Sequence, residues 1–235
     1  MGTPFRRWQY AMIVICVTAG MSCNQEPVPL ATATPRKPIE DLYGINSHTD
    51  IKFKDDTSSN SPLDDQLADL EFTNLEGQSV SLRDYLGKKH LVLVITRGST
   101  KYICVYCSTQ TSRLVTQYDA FVKRGAEVLV VFPLKAREDN ELAHDFLKFV
   151  KEKLPSSASD KIPFPLVLDV ELKSVDRLGL RHNLAKPATY IMDKTGDVRF
   201  AYVGENEADR PSVKALLSQL DEMNAETPLA QPAIP

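Results

Sequence analysis

The chain has 235 residues, 43% of them hydrophobic, which suits one sizeable core with tails better than two small domains. Its 28 basic and 31 acidic residues leave a formal charge of -3, which provides neither the basic face of a nucleic-acid binder nor a polybasic arm for anionic lipid. Nucleic acid is therefore not an expected partner.

The chain opens with Arg6 and Arg7 ahead of an apolar run, Tyr10 to Gly20, broken only by Thr18. A positive region followed by a short hydrophobic one is the pattern of an export signal, and the run is short for a bilayer span. It ends in Ala19-Gly20-Met21-Ser22-Cys23, which resembles a bacterial lipobox, where the cysteine is lipidated and becomes the mature N-terminus. Gly20 departs from the leucine usual there. Residues 1–22 are thus expected to be a lipoprotein-type signal peptide and Cys23 the lipid attachment site. That places the protein in the cell envelope on a membrane, facing periplasm or exterior. A signal peptide cut by the general peptidase and a retained anchor helix are the alternatives. Cys16 falls in the leader under each.

Residues 23–65 carry Pro27, Pro29, Pro35, Pro38 and Pro62 among Thr, Ser and Asp, and predict a disordered tether. Residues 226–235 predict a disordered tail, so the folded body spans about 66–225. Within it, Phe72 to Leu82 alternates around Glu76-Gly77 and reads as a hairpin, and His90 to Thr96 as a buried strand. Leu114, Val115, Tyr118, Phe121 and Val122 share one face of a helix ending at Gly125, followed by an apolar strand, Glu127 to Phe132. Leu142, Phe146, Phe149 and Val150 mark a second helix, Phe164 to Asp169 a third strand, and Ser174 to Leu178 a short helix. Ala188 to Asp193 and Asp197 to Val203 form a second hairpin, and Val213, Leu216, Leu217 and Leu220 line a last helix. This is an α/β order, a crossover first and a hairpin and helix last.

Cys104-Val105-Tyr106-Cys107 falls where the first central strand meets its helix, which is the layout of the thioredoxin-like fold. Unpaired N–H groups and the helix dipole at such a position favour thiolate. Cys104 is expected to attack and Cys107, one turn on, to resolve the product into a disulfide. Zinc would need two further ligands, which no second CxxC or HxxxH supplies. A structural bridge closing so short a loop would return little entropy. Pro187, before the Ala188 strand, occupies the place where proteins of this fold carry a cis-proline beside the CxxC. A cis bond there would mark a substrate-pairing loop, a trans bond an ordinary strand start.

Ile95-Thr96-Arg97-Gly98 followed by Cys104-Val105-Tyr106-Cys107 resembles the strand, Arg-Gly and Cys-Pro-Tyr-Cys run of redoxins in the alkyl hydroperoxide reductase and thiol-specific antioxidant family. Val80-Ser81-Leu82, the Pro187 strand and Asp193-Lys194-Thr195-Gly196 match as well, so the resemblance covers about residues 67–223. It implies a mixed sheet flanked by helices with an N-terminal hairpin extension. It also implies thiol-dependent reduction of hydroperoxides through a CxxC cycle, with an external thioredoxin-like dithiol as reductant and no cofactor or metal.

The departures bear on chemistry. In the family's Pro-x-x-x-Thr-x-x-Cys frame, Cys107 takes the peroxidatic place, Cys104 the threonine place and Thr100 the proline place. The second arginine usual at the start of the later strand is replaced by Pro187. Arg97 is then the nearby candidate to steady a thiolate, Pro187 and Tyr106 candidates to contact substrate, and Tyr102 a further aromatic beside the pair. These changes lean towards thiol:disulfide exchange on exported proteins, the first alternative. A copper metallochaperone using Cys104, Cys107 and His182 is the second.

Overall fold

The computed structural model describes residues 47–63, 67–99, 102–159 and 161–226. The expected signal peptide, the expected lipid attachment site Cys23, Thr100 and residues 227–235 lie outside the described residues.

The strands are β1 (Glu71–Asn74), β2 (Ser79–Ser81), β3 (His90–Ile95), β4 (Ala126–Leu134), β5 (Leu166–Val170), β6 (Arg181–His182), β7 (Leu184–Ala185), β8 (Ala188–Met192) and β9 (Val198–Val203). Seven of them form one mixed sheet in the order β2-β1-β5-β4-β3-β8-β9, while β6 and β7 make a small separate ladder absent from the sequence reading. The central strands β3, β4 and β5 run parallel, from His90↔Ala126 to Ile95↔Val131 and from Val130↔Leu166 to Leu134↔Val170. β8 lies antiparallel on the other side of β3. Every residue of β3 is buried, as a strand covered on both faces requires. Burial of each such aliphatic side chain contributes roughly 1.5–3 kcal/mol. The expected α/β thioredoxin-like fold with its N-terminal hairpin is the fold observed.

The helices are α1 (Val105–Thr116), α2 (Tyr118–Val122), α3 (Glu141–Glu152), α4 (Lys173–Arg177) and α5 (Val213–Glu226). Strand alternation divides the core in two. Val92 and Val94 face a cluster with Leu114 of α1, Phe146 of α3 and Leu216 of α5. Leu91, Leu93 and Ile95 face the opposite cluster, with Val175 of α4. Both cysteines belong to the first cluster. The helix expected to run through to Gly125 is interrupted at Gln117, whose φ -112 and ψ 17 leave the helical range. Val122, expected inward, is 45% exposed.

The tether reading is corrected over residues 47–61. Ile51 is buried in the cysteine-side core, and Arg113 of α1 donates to its carbonyl at 2.6 Å. The Lys54 amide donates to the Arg210 carbonyl at 2.9 Å, and Asn60 pairs with Val203 on the outer edge of β9. Composition reports average burial, and a strap held by one apolar anchor and backbone hydrogen bonds escapes it.

Candidate active site

The end of β3 and the start of α1 meet at the cysteine pair. Cys104 is extended, with φ -66 and ψ 116, and serves as the N-cap of α1: its Sγ accepts the Cys107 amide at 3.3 Å, the place a Ser or Asp oxygen usually takes. Cys107 therefore sits in the first turn of a 12-residue helix, where unpaired N–H groups favour negative charge. Both thiols are nearly inaccessible, Cys104 at 2% and Cys107 at 1%, and both are free.

The turn after β3 is shaped to reach Cys107. Thr96 Oγ1 donates to the Val131 carbonyl at 3.0 Å, and the Arg97 amide then points at Cys107 Sγ, 3.4 Å away. Gly98 follows at φ +77, so close to β4 that a Cβ would stand 2.6 Å from the Pro133 carbonyl oxygen. Only glycine fits that approach.

The strongest donor to the sulfur comes from elsewhere. Arg210, in the loop between β9 and α5, is 2% exposed and places Nη2 3.1 Å from Cys107 Sγ. Its Nη1 donates to Gln110 Oε1 at 2.7 Å and its Nε to the Glu207 carbonyl at 2.7 Å, so the guanidinium is fixed on three sides. Gln110 lies one turn beyond Cys107 on the same face of α1 and is itself buried.

These contacts separate the two thiols. Burial pushes Cys107 up, but the Cys104 thiol hydrogen bond, the Arg210 charge and the Arg97 amide outweigh it and bring Cys107 down to about 6. Cys104 moves well above its ordinary value, first because its thiol donates to Cys107 and then through burial and the neighbouring negative charge. These opposite shifts favour the thiolate on Cys107 and the remaining proton on Cys104. Such a sulfur can attack an electrophile, and a protonated partner one turn away can close a disulfide afterwards.

Several expectations are corrected. The thiolate was expected on Cys104, yet the cation and the amide both address Cys107. Arg97 contributes its backbone N–H, while its guanidinium turns to Glu207, with Nε 3.3 Å from Oε1. Among the described residues no peptide bond is cis, so Pro187 is trans. Its carbonyl accepts the Gly204 amide at 2.8 Å, and the preceding Lys186 amide donates to the Leu180 carbonyl at 2.8 Å. Tyr106 is half-buried against the cysteine-side core, whereas Tyr102 is 54% exposed. His182 lies exposed in the β6–β7 ladder, and among the described residues no three His, Cys, Asp or Glu side chains gather as a metal site.

Sequence reading missed Arg210 and Gln110. Gln110 had a signal, a polar residue one turn after Cys107 on a helix face that should be apolar. Arg210 had none, since 103 residues separate it from the sulfur it touches.

Residues 63–201 match the model of the AhpC/TSA family, more than half of the chain. The chain belongs to the AhpC/TSA family. Among solved structures, a cysteine-to-serine mutant of the peroxiredoxin 6 of Arenicola marina aligns with 17% identity over 70% of this chain and 75% of its own, at a TM-score of 0.52. Mycobacterium tuberculosis AhpC aligns with 16% identity over 74% and 96%, at a TM-score of 0.51. Plasmodium vivax 2-Cys peroxiredoxin in its reduced form aligns with 20% identity over 66% and 77%, at 0.50. At these identities the likeness speaks for the fold. No curated protein matches the chain. The start of β8 pairs with the end of β9 at Ala188↔Val203, so the loop that carries Arg210 leaves the same end of the β8–β9 hairpin that Pro187 enters.

Proposed function

We propose that the protein is a thiol-dependent hydroperoxide reductase in which Cys107 is the peroxidatic residue and Cys104 the resolving one. The observation that carries this reading is the Arg210 guanidinium 3.1 Å from a buried Cys107 sulfur at a helix N-terminus. The Cys107 thiolate attacks the terminal oxygen of the hydroperoxide. The O–O bond breaks, the sulfur is oxidised to sulfenic acid, and the departing alkoxide or hydroxide takes a proton from solvent. Arg210 stays charged throughout and offsets the negative charge that passes from sulfur to the leaving oxygen. The Cys104 thiol then attacks the sulfenic sulfur, forming the Cys104–Cys107 disulfide and releasing water. An external thioredoxin-like dithiol returns both residues to thiols by exchange.

Thiol:disulfide exchange on exported proteins is the weaker reading, because the Lys186 amide, before Pro187, which would pair with an extended substrate, donates to the Leu180 carbonyl at 2.8 Å. Copper delivery is weaker still, because His182 stands apart from the cysteines. Location in the cell envelope through a lipidated Cys23 is part of the proposal.

Peroxide consumption and sulfenic-acid trapping on wild type, Cys104→Ser and Cys107→Ser test it. Cys107→Ser should lose both signals. Cys104→Ser should react once with peroxide, accumulate the trappable sulfenic acid and fail to turn over with dithiol. Equal peroxide reactivity in Cys107→Ser and wild type would refute the assignment.

A further inference from the structure

The N-terminal strap touches both elements that make the site. On one side, Arg113 of α1, two turns beyond Cys107, donates to the Ile51 carbonyl at 2.6 Å and packs over the Phe53 ring at 5.0 Å. On the other, the Lys54 amide donates to the Arg210 carbonyl at 2.9 Å and the Ser212 amide donates to the Lys54 carbonyl at 2.8 Å. The backbone of Arg210 is thus bracketed by a residue 156 positions earlier in the chain.

The Lys54 side chain acts on the same loop. Its Nζ lies 2.7 Å from Asp209 Oδ1 and 2.8 Å from the Tyr202 hydroxyl, which itself donates to Asp209 Oδ1 at 2.7 Å. Asp209 Oδ2 accepts the Glu205 amide at 3.0 Å, and Gly204 packs so tightly that a Cβ would stand 2.2 Å from the Asp209 carbonyl oxygen. The Asp209 side chain is 8% exposed, a nearly buried carboxylate directly before the buried arginine in sequence. Without its cation, that nearly buried carboxylate would stand uncompensated one residue before the arginine whose charge Cys107 uses.

We propose that Lys54 is a positioning residue of the active site: by neutralising Asp209 it leaves Arg210 committed to the Cys107 sulfur. The inference rests on the reading of Cys107 as the reacting thiolate. The groups facing that sulfur are the Cys104 thiol from the helix start, the Arg97 amide from the β3 turn and Arg210 from the loop. Only the last depends on Lys54. The strap is therefore a working part of the site, and what happens at residues 51–55 is felt at the sulfur.

The test is the pH dependence of Cys107 alkylation in the full reduced chain, followed residue by residue by mass spectrometry with iodoacetamide as probe. Lys54→Met should raise the midpoint by about one pH unit. Lys54→Arg should keep the wild-type value. Adding Asp209→Asn to Lys54→Met should bring the midpoint back down, because the competing carboxylate is gone. The Lys54 side chain is 56% exposed, so the single variants should fold, which thermal unfolding checks. Lys54→Gln is the milder substitute should Lys54→Met lose structure. An unchanged midpoint in the Lys54 variants, or no return in the double variant, overturns the proposal. Arg210→Gln on the same readout separates the two levels. If it also leaves the midpoint unmoved, the thiolate reading fails with the inference; if it raises the midpoint while Lys54→Met does not, only the role of Lys54 fails.

Discussion

At the scale of single residues, the division of labour between two chemically identical side chains follows from three hydrogen-bond donors. Cys107 receives the Arg210 guanidinium and the Arg97 amide, and Cys104 keeps the shared proton. Because Cys107 is depressed to about 6, its rate with hydroperoxide should climb as pH rises through about 6 and level off above it. Stopped-flow rates across that range check this, and a flat profile through the midpoint would sink it. The linkage runs the same way. A thiol whose folded value lies below its unfolded value stabilises the fold above the unfolded value and loses that contribution as pH falls through about 6. Gly98 supplies a second residue-scale test. Gly98→Ala combines a left-handed φ of +77 with a Cβ 2.6 Å from the Pro133 carbonyl oxygen. It should cost roughly 2–3 kcal/mol in urea unfolding and displace the Arg97 amide from the sulfur.

At the scale of elements, α5 is docked on the sheet partly through His90 at the head of β3. His90 Nε2 meets Asn224 Oδ1 at 3.2 Å, Asn224 Nδ2 donates to the Arg124 carbonyl at 3.1 Å, and Arg124 grips Asp221 with two nitrogens. Burial first, and then Lys194, hold His90 below its ordinary value of 6.5, against the Asn224 hydrogen bond and Asp193; Arg199 adds to the lowering. The unfolded chain therefore takes up the proton first, and stability should fall as pH drops below about 6.5. Denaturant midpoints measured across that range should show a weaker decline in His90→Gln than in wild type, and equal slopes would remove His90 from the account. The elements themselves were largely legible. The unbroken apolar runs of β3 and β4 and the Phe146–Val150 face of α3 carry periods that admit one reading. The break at Gln117 was not legible, because the apolar period of α1 continues into α2 across a single misaligned residue.

At the scale of the whole molecule, the fold is closed by its N-terminal strap. Ile51→Ala should destabilise the body by about 2–4 kcal/mol, measured by urea unfolding, because the side chain is buried in the cysteine-side core. A loss near zero would restore the tether reading for this stretch. The proposed envelope location has its own test: Cys23→Ser expressed in a bacterial host should move the protein from the membrane fraction to the soluble one.

The sequence by itself determined the class of fold, the strand order's crossover and hairpin, the Cys104–Cys107 pair and its place at a helix start. All of these are written in local period and spacing. Only the tertiary structure decided which sulfur the arginine and the strand-end amide address. That choice depends on Arg210, its partner Gln110 and the strap that brackets the Arg210 backbone, brought together from distant parts of the chain by the β8–β9 hairpin and by residues 48–55. Local pattern records what each segment buries, whereas the charge felt at a buried sulfur is set by whichever side chains the closed fold leaves within a few ångströms of it.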